Sequence, residues 1–300
     1  MFRTRIPAPV LLFGAASLLQ GCLGSDGSMS ADNIVPTTDE EAIEVVMESD
    51  EANSEYSATD VLVMNEEAGG DAALAPINTC RWFREPSDID RRIQIVINEP
   101  SGEAATAQVT ASAFIVGTLH LFPCESGVDG VVDKRFDDAG SLQMLFQRVR
   151  PIREDRRHRG WQLAAVSGIE LASEGTSRDI VSVRVVSGDV DRTFTDMSEL
   201  VRVGDLLRLQ LHTEVQLTVE TLDATDAVYL HLHRAHRTAM TSNGDGTFSG
   251  RFMTSERPGP HRFAVDVLSN GTIFDDAAPY DNVAWGMLYL IEGPHDGPRE

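Results

Sequence analysis

From Arg81 almost to the C-terminus, apolar residues keep returning at every second position. This period restricts most of the chain to β-strands, because side chains two apart share one face of a strand. Ile93, Ile95 and Ile97 share such a face. Ala107–Leu121 reads as one long strand with Val109, Ala111, Ala113 and Ile115 on one side, and Gly117 marks a bend or bulge. A further strand holds Leu142, Met144 and Phe146, and another runs through Gly160–Ile169. From Ser177 onward the texture is purely strand and turn. The expected strands are Ile180–Val186, Leu206–Thr213, Val215–Leu222, Val228–Arg234, Thr247–Thr254, Arg262–Ser269 and Trp285–Ile291. Asn243-Gly244-Asp245-Gly246 is the turn signal between two of them, since Gly accepts positive φ.

The first part of the chain is different. Ile6 to Thr79 contains no Lys or Arg, while Asp and Glu recur throughout. Leu23 to about Val35 is rich in Gly, Ser and Asp and reads as a flexible tether. Thr37 or Thr38 is placed to cap a helix whose first turn is acidic, with Ala42, Ile43, Val46 and Met47 on its apolar side. A second helical stretch is expected over Ala58–Glu67.

The first 22 residues give the address. Arg3 and Arg5 precede the apolar run Val10–Leu19, which is too short for a stable span and has the layout of an export signal. Leu19-Gln20-Gly21-Cys22 resembles the bacterial lipobox, which implies that the Cys22 thiol carries a lipid and becomes the mature N-terminus. Several acyl chains on one Cys hold durably where a single chain binds marginally. Leu23, rather than Asp, favours an outer-membrane destination over an inner one in a Gram-negative host.

Cysteine usage agrees with export. With Cys22 lipidated, Cys80 and Cys124 remain as an even pair, so a disulfide is the default reading. It would close a loop of about 45 residues and contribute roughly 3–4 kcal/mol in the chain-entropy account. Neither Cys sits in a nucleophile motif. The net charge of −22 argues against nucleic acid, whose phosphates need a basic footprint. It also argues against direct adhesion to an anionic membrane.

Two resemblances shape the expected architecture. Acidic N-terminal helices followed by long strands ending in Gly160-Trp161-Gln162-Leu163-Ala164-Ala165-Val166-Ser167-Gly168 resemble the nuclear-transport-factor-2-like cone, which includes SnoaL-like enzymes. Asn243-Gly244-Asp245-Gly246-Thr247-Phe248-Ser249-Gly250, with Tyr280-Asp281-Asn282 and Trp285-Gly286, resembles bacterial immunoglobulin-like modules. Together they imply an α+β cone-like domain followed by an all-β immunoglobulin-like sandwich. The expected organisation is a signal peptide over 1–21, a tether over 22–36, the cone over 37–175, the sandwich over 176–293 and a tail over 294–300.

Few residues signal chemistry. His231 and His233 sit at strand spacing with His236 close behind, but alternation turns Leu230 and Leu232 to the core and His231 and His233 to solvent, so no metal is assigned. Asn243, Asp245, Asp275, Asp276, Asp281 and Asn282 fall on loops, where turn chemistry accounts for them better than Ca²⁺ binding. Arg148, Arg150, Arg153, Arg156, Arg157 and Arg159 read first as a solvated hairpin loop and second as partners of the acidic helices. The inward strand positions are Ile93, Ile95, Ile97, Val109, Ala111, Ile115, Leu142, Met144 and Phe146, which offer no acid or base. His120 and Asp133 are the strand-adjacent candidates for a ligand site. No catalytic residue and no cofactor is assigned. The reading is a lipid-anchored envelope protein with a binding or scaffold role toward a protein or glycan. A tethered SnoaL-like enzyme or ligand-binding domain is the alternative.

Overall fold

The computed structural model describes residues 36–49, 68–69, 77–100, 104–124, 130–149, 158–232 and 237–293. The signal peptide with Cys22, the second helical stretch, His233 and the C-terminal tail lie outside these residues.

Helix α1 (Asp39–Ser49) forms where the sequence places it. The Glu41 N–H donates to Thr38 Oγ1 at 3.1 Å, and Glu41 Oε2 accepts from the Thr37 and Thr38 N–H groups at 2.6 and 3.3 Å. This reciprocal cap satisfies donors that the first turn leaves unpaired. Ala42, Ile43, Val46 and Met47 are all buried.

Three long strands follow the short β1 (Ala68–Gly69): β2 (Thr79–Asn98), β3 (Thr106–Pro123) and β4 (Val132–Arg148). They form an antiparallel meander paired along nearly its whole length. Strand β3 alternates strictly, with Val109, Ala111, Ala113, Ile115, Leu119 and Leu121 buried. The register of β2 shifts between Pro86 and Asp88, opposite Gly117. The bulge accommodates a Pro that lacks the ladder N–H. A Cβ at Gly117 would collide with the Glu85 carbonyl oxygen and lie 2.6 Å from the Phe136 ring.

The chain then builds β5 (Trp161–Val166) and β6 (Ile169–Ser173), β7 (Ile180–Ser187), β8 (Val190–Phe194) and β9 (Val201–Arg202). After these come β10 (Leu207–Gln210), β11 (Glu214–Thr221), β12 (Ala227–Leu232), β13 (Thr238–Ala239), β14 (Thr241–Ser242) and β15 (Thr247–Met253). Strand β16 (Gly259–Leu268), the short helix α2 (Asn270–Phe274) and β17 (Asn282–Glu292) complete it. Two sheets result. The larger runs β1-β2-β3-β4-β6-β17-β16-β12-β13, with β10 parallel to β17 and β5 linking β4 to β9; the smaller runs β14-β15-β11-β7-β8. The larger sheet curls until β1 and β13 come within 8 Å of each other.

Strands β16 and β17 hold the two cores together. Phe263, Val265, Val267, Val283, Trp285 and Met287 face the smaller sheet, where Val183, Val185, Val215, Leu217, Val219 and Phe248 close one core. Ala264, Leu268, Ala284 and Leu288 face the other way, into a core with Trp82, Phe136, Trp161 and α1. Burial on both faces is why these strands read as nearly unbroken apolar runs.

The architecture is therefore mostly β, with two sheets in place of a helical cone followed by a separate immunoglobulin-like module. The expected cone needs helices to cover the concave face of its sheet. Here much of that face is covered by the far side of the same sheet, since Trp82 of β2 meets Tyr229 of β12 with ring centroids 5.2 Å apart. Residues 79–98 form the single long strand β2. The larger sheet also crosses residues 175–178, because β6 pairs with both β4 and β17. Those residues are pinned: Thr176 Oγ1 donates to Asp281 Oδ1 at 2.6 Å, and Arg178 donates to Asp226 and Asp223 at 2.7 and 3.1 Å. The described residues between 36 and 293 form one compact unit.

Candidate functional site

The highest concentration of buried polar chemistry lies inside the curl of the larger sheet. Arg84 of β2 donates two parallel hydrogen bonds to Asp266 of β16, Nη1 to Oδ2 at 2.9 Å and Nη2 to Oδ1 at 3.1 Å. Arg237 approaches the same carboxylate, with Nε 3.6 Å from Oδ2. The bidentate geometry suits a planar guanidinium. Aromatic rings close around the charges. The Arg237 guanidinium lies 4.4 Å from the Trp82 ring centroid, and that of Arg84 lies 5.4 Å from both Trp82 and Tyr280. Tyr280 in turn donates to Asp138 of β4 at 2.9 Å.

Burial alone would raise Asp266 and lower the arginines. Desolvation does push Asp266 upward, but the two guanidinium charges outweigh it and hold the carboxyl below its ordinary value. For Arg84, desolvation is likewise overcome by Asp266, Tyr280 and Asp138, so the net direction is upward. Arg237, with weaker compensation, is lowered by burial to about 10. Desolvation pushes Asp138 up to about 6 against the opposing pull of Arg84 and the Tyr280 hydrogen bond. Its Oδ1 is buried without a hydrogen-bond partner among the described residues. Arg84 and Asp266 pair with each other, while Asp138 keeps only the Tyr280 hydrogen bond among the described residues. Phe136 packs against Tyr280 at 5.4 Å and completes the wall.

Lys134 of β4 is also buried. Its Nζ donates to the Gly271 carbonyl at 2.9 Å and to the Asp275 carbonyl, closing the C-terminal end of α2. Desolvation lowers it to about 8 against the attraction of Asp275 and Asp276.

The two candidates His120 and Asp133 come together. They are direct cross-strand partners of β3 and β4, with Nδ1 2.7 Å from Asp133 Oδ1. Glu85 of β2 approaches the other ring nitrogen, Oε2 to Nε2 at 3.0 Å. Both contacts are hydrogen bonds only when both nitrogens carry protons. The group lies on the outer face of the sheet, away from the buried cluster. It continues into a row of rings: His120 to Phe83 at 4.8 Å, Phe83 to Phe122 at 5.7 Å, then Arg81 over Phe122 at 4.5 Å. At the end of the row Cys80 and Cys124 form a disulfide, with Cα atoms 4.8 Å apart.

Strand β12 turns Leu230 into the sandwich core and Tyr229 into the other. His231 is half-buried on the Tyr229 side and acts electrostatically on Asp266. It is therefore a neighbour of the ionic cluster rather than a solvent-facing residue. Arg148 and Arg159 grip Asp39 at the start of α1, at 3.1 and 2.6 Å for the shortest contacts, which realises the helix-pairing role for these two arginines. Asp245 accepts from the Thr247 N–H and hydroxyl at 3.0 and 2.6 Å, and Gly244 and Gly246 have φ of 84° and 88°, as turn chemistry requires. Among the described residues no group of three or more His, Cys, Asp or Glu side chains has metal-binding geometry.

Sequence reasoning missed the buried cluster. Two signals pointed to it: Asp266 as the one acid in Phe263–Leu268, and Arg84 beside Trp82 near a Cys. No family model, curated protein or solved structure matches the chain.

Proposed function

We propose that the chain is an exported, lipid-tethered binding or scaffold protein of the cell envelope. In this reading Cys22 carries the lipid, residues 22–36 hold the folded part off the membrane, and the outer membrane is the destination in a Gram-negative host. A protein or a glycan of the envelope would be the partner.

The observation that carries the proposal is the Cys80–Cys124 disulfide. Disulfides persist in oxidising compartments outside the cytoplasm, and this one joins Cys80 at the start of β2 to Cys124, the residue after β3. A binding role through external faces is supported by the way the interior is used. Trp82, Phe136 and the bidentate pair of Arg84 and Asp266 lie buried inside the curl. The same arrangement makes a stiff body suited to a scaffold.

Metabolic labelling with an alkyne fatty acid tests the anchor. The parent chain should carry the label and fractionate with membranes. Cys22→Ala should lose both properties while keeping the Cys80–Cys124 bond. Equal labelling of the two forms overturns the proposal.

A further inference from the structure

Asp138, Ser173 and Asn282 form one row across three neighbouring strands. Asp138 of β4 lies directly opposite Ser173 of β6. On its other side Ser173 meets Asn282 of β17: its Oγ accepts from the Asn282 N–H at 3.0 Å and donates to the Asn282 carbonyl at 3.3 Å. Asn282 pairs with Leu268 of β16, and Asp138 pairs with Ile115 of β3; both partners belong to the core inside the curl, so the two polar side chains share its inner face. Asp138 is 1% exposed and Asn282 is 0% exposed. Asp138 Oδ1 and both polar atoms of the Asn282 carboxamide have no hydrogen-bond partner among the described residues. Buried polar atoms almost always have one. The hydroxyl between them cannot serve Asp138, because Ser173 gives its only hydrogen to the Asn282 carbonyl.

We propose that these atoms frame a buried hydration site, in which a water molecule bridges Asp138 Oδ1 and the Asn282 carboxamide over Ser173. Adjacent strands lie about 4.8 Å apart, so Asp138 and Asn282, two strands apart, are separated by about 9.6 Å at the backbone. Strand side chains stand roughly perpendicular to the sheet. Two side chains this short therefore do not meet, and the small Ser173 leaves the space between their tips open. A water reaching about 2.8 Å to each side spans about 5–6 Å of that gap. The surrounding charges select the occupant. Arg84 acts on Asp138 and opposes a cation, while Asp138 itself, Asp266 and Asp137 oppose an anion. A neutral molecule that both donates and accepts answers a carboxylate oxygen and a carboxamide together.

A crystal structure of the mature chain bearing Cys22→Ser, at a resolution that shows ordered water, should place a water within about 3.2 Å of both Asp138 Oδ1 and an Asn282 side-chain atom. Oxygen-17 relaxation dispersion counts long-lived internal waters in solution. Asn282→Leu replaces the two polar atoms with methyl groups, so it should lower that count by at least one. If the variant does not fold, the crystal structure of the parent decides alone. A direct hydrogen bond between Asp138 and Asn282 overturns the proposal, as does a crystal structure with no water in reach of both. An unchanged count in a folded Asn282→Leu chain also overturns it.

Discussion

Replacing Asp266 by Asn should be among the most damaging near-isosteric changes in this protein. The carboxylate is completely buried and accepts two charge-assisted bonds from Arg84, with Arg237 3.6 Å away. Asn keeps the shape but removes the charge and turns one acceptor into a donor facing a guanidinium. Breaking a buried pair by removing one partner costs about 3–5 kcal/mol, because the remaining charge stays buried. For a domain of this size 1 kcal/mol moves the thermal midpoint by roughly 2–4 °C, so the expected fall is roughly 6–20 °C. Circular dichroism melts and urea titrations of parent and variant measure it. The triple variant Arg84→Met, Arg237→Met, Asp266→Leu should recover most of the loss, since a buried ionic group and well-packed apolar residues of similar volume are often of similar stability. If Asp266→Asn lies within about 1 kcal/mol of the parent, the cluster is hydrated and the reasoning from desolvation fails.

Three further outcomes follow from the same geometry. Asp138 has a folded pKa of about 6 against an ordinary 3.8, mainly through desolvation, so its stabilising protonation is complete below about 3.8 and is lost as pH rises through 6. That amounts to about 3 kcal/mol, so Asp138→Asn should match the parent in urea at about pH 3 and exceed it at pH 8; an equal gap at both pH values would refute the assignment. Gly117→Ala should cost at least about 2 kcal/mol and broaden the melt, because the new methyl meets the Glu85 carbonyl and the Phe136 ring; an unchanged midpoint would mean the bulge yields freely. A fragment of residues 177–293 should lack a cooperative transition, because it loses the β6 partner of β17 and the Trp82 face against Tyr229; a sharp β-rich melt would show that the smaller sheet and β16–β17 suffice.

The strands themselves were legible because their period is local. The stretches expected at 180–186, 215–222, 247–254 and 285–291 match β7, β11, β15 and β17 within a few residues, and the capped helix falls where Thr38 and Glu41 place it. What failed was the partner of each strand. A strand shows which of its faces is apolar and carries no label for the sheet that covers that face. Thus β16 and β17 looked like members of a self-contained sandwich, although their second faces belong to the core of Trp82 and Phe136. Their unbroken apolar runs contained that information, since a strand of a two-layer sandwich should alternate with polar residues. The inward assignment held for Val109, Ala111, Ile115, Leu142, Met144 and Phe146, all nearly inaccessible, and in direction also for Ile93, paired with Ala111, although at the sheet edge it stays more than half exposed. The ionic cluster was hidden for the same non-local reason. Arg84, Asp138 and Asp266 lie 54 and 128 residues apart along the chain, and each alone looks like an ordinary surface charge. The clue was the setting of Asp266 among Phe263, Ala264, Val265, Val267 and Leu268. A carboxylate flanked only by apolar residues from Phe263 to Leu268 must find a counter-charge or stay out of the core. Two arginines supply that counter-charge, and their geometry sets where the far end of the larger sheet meets its beginning.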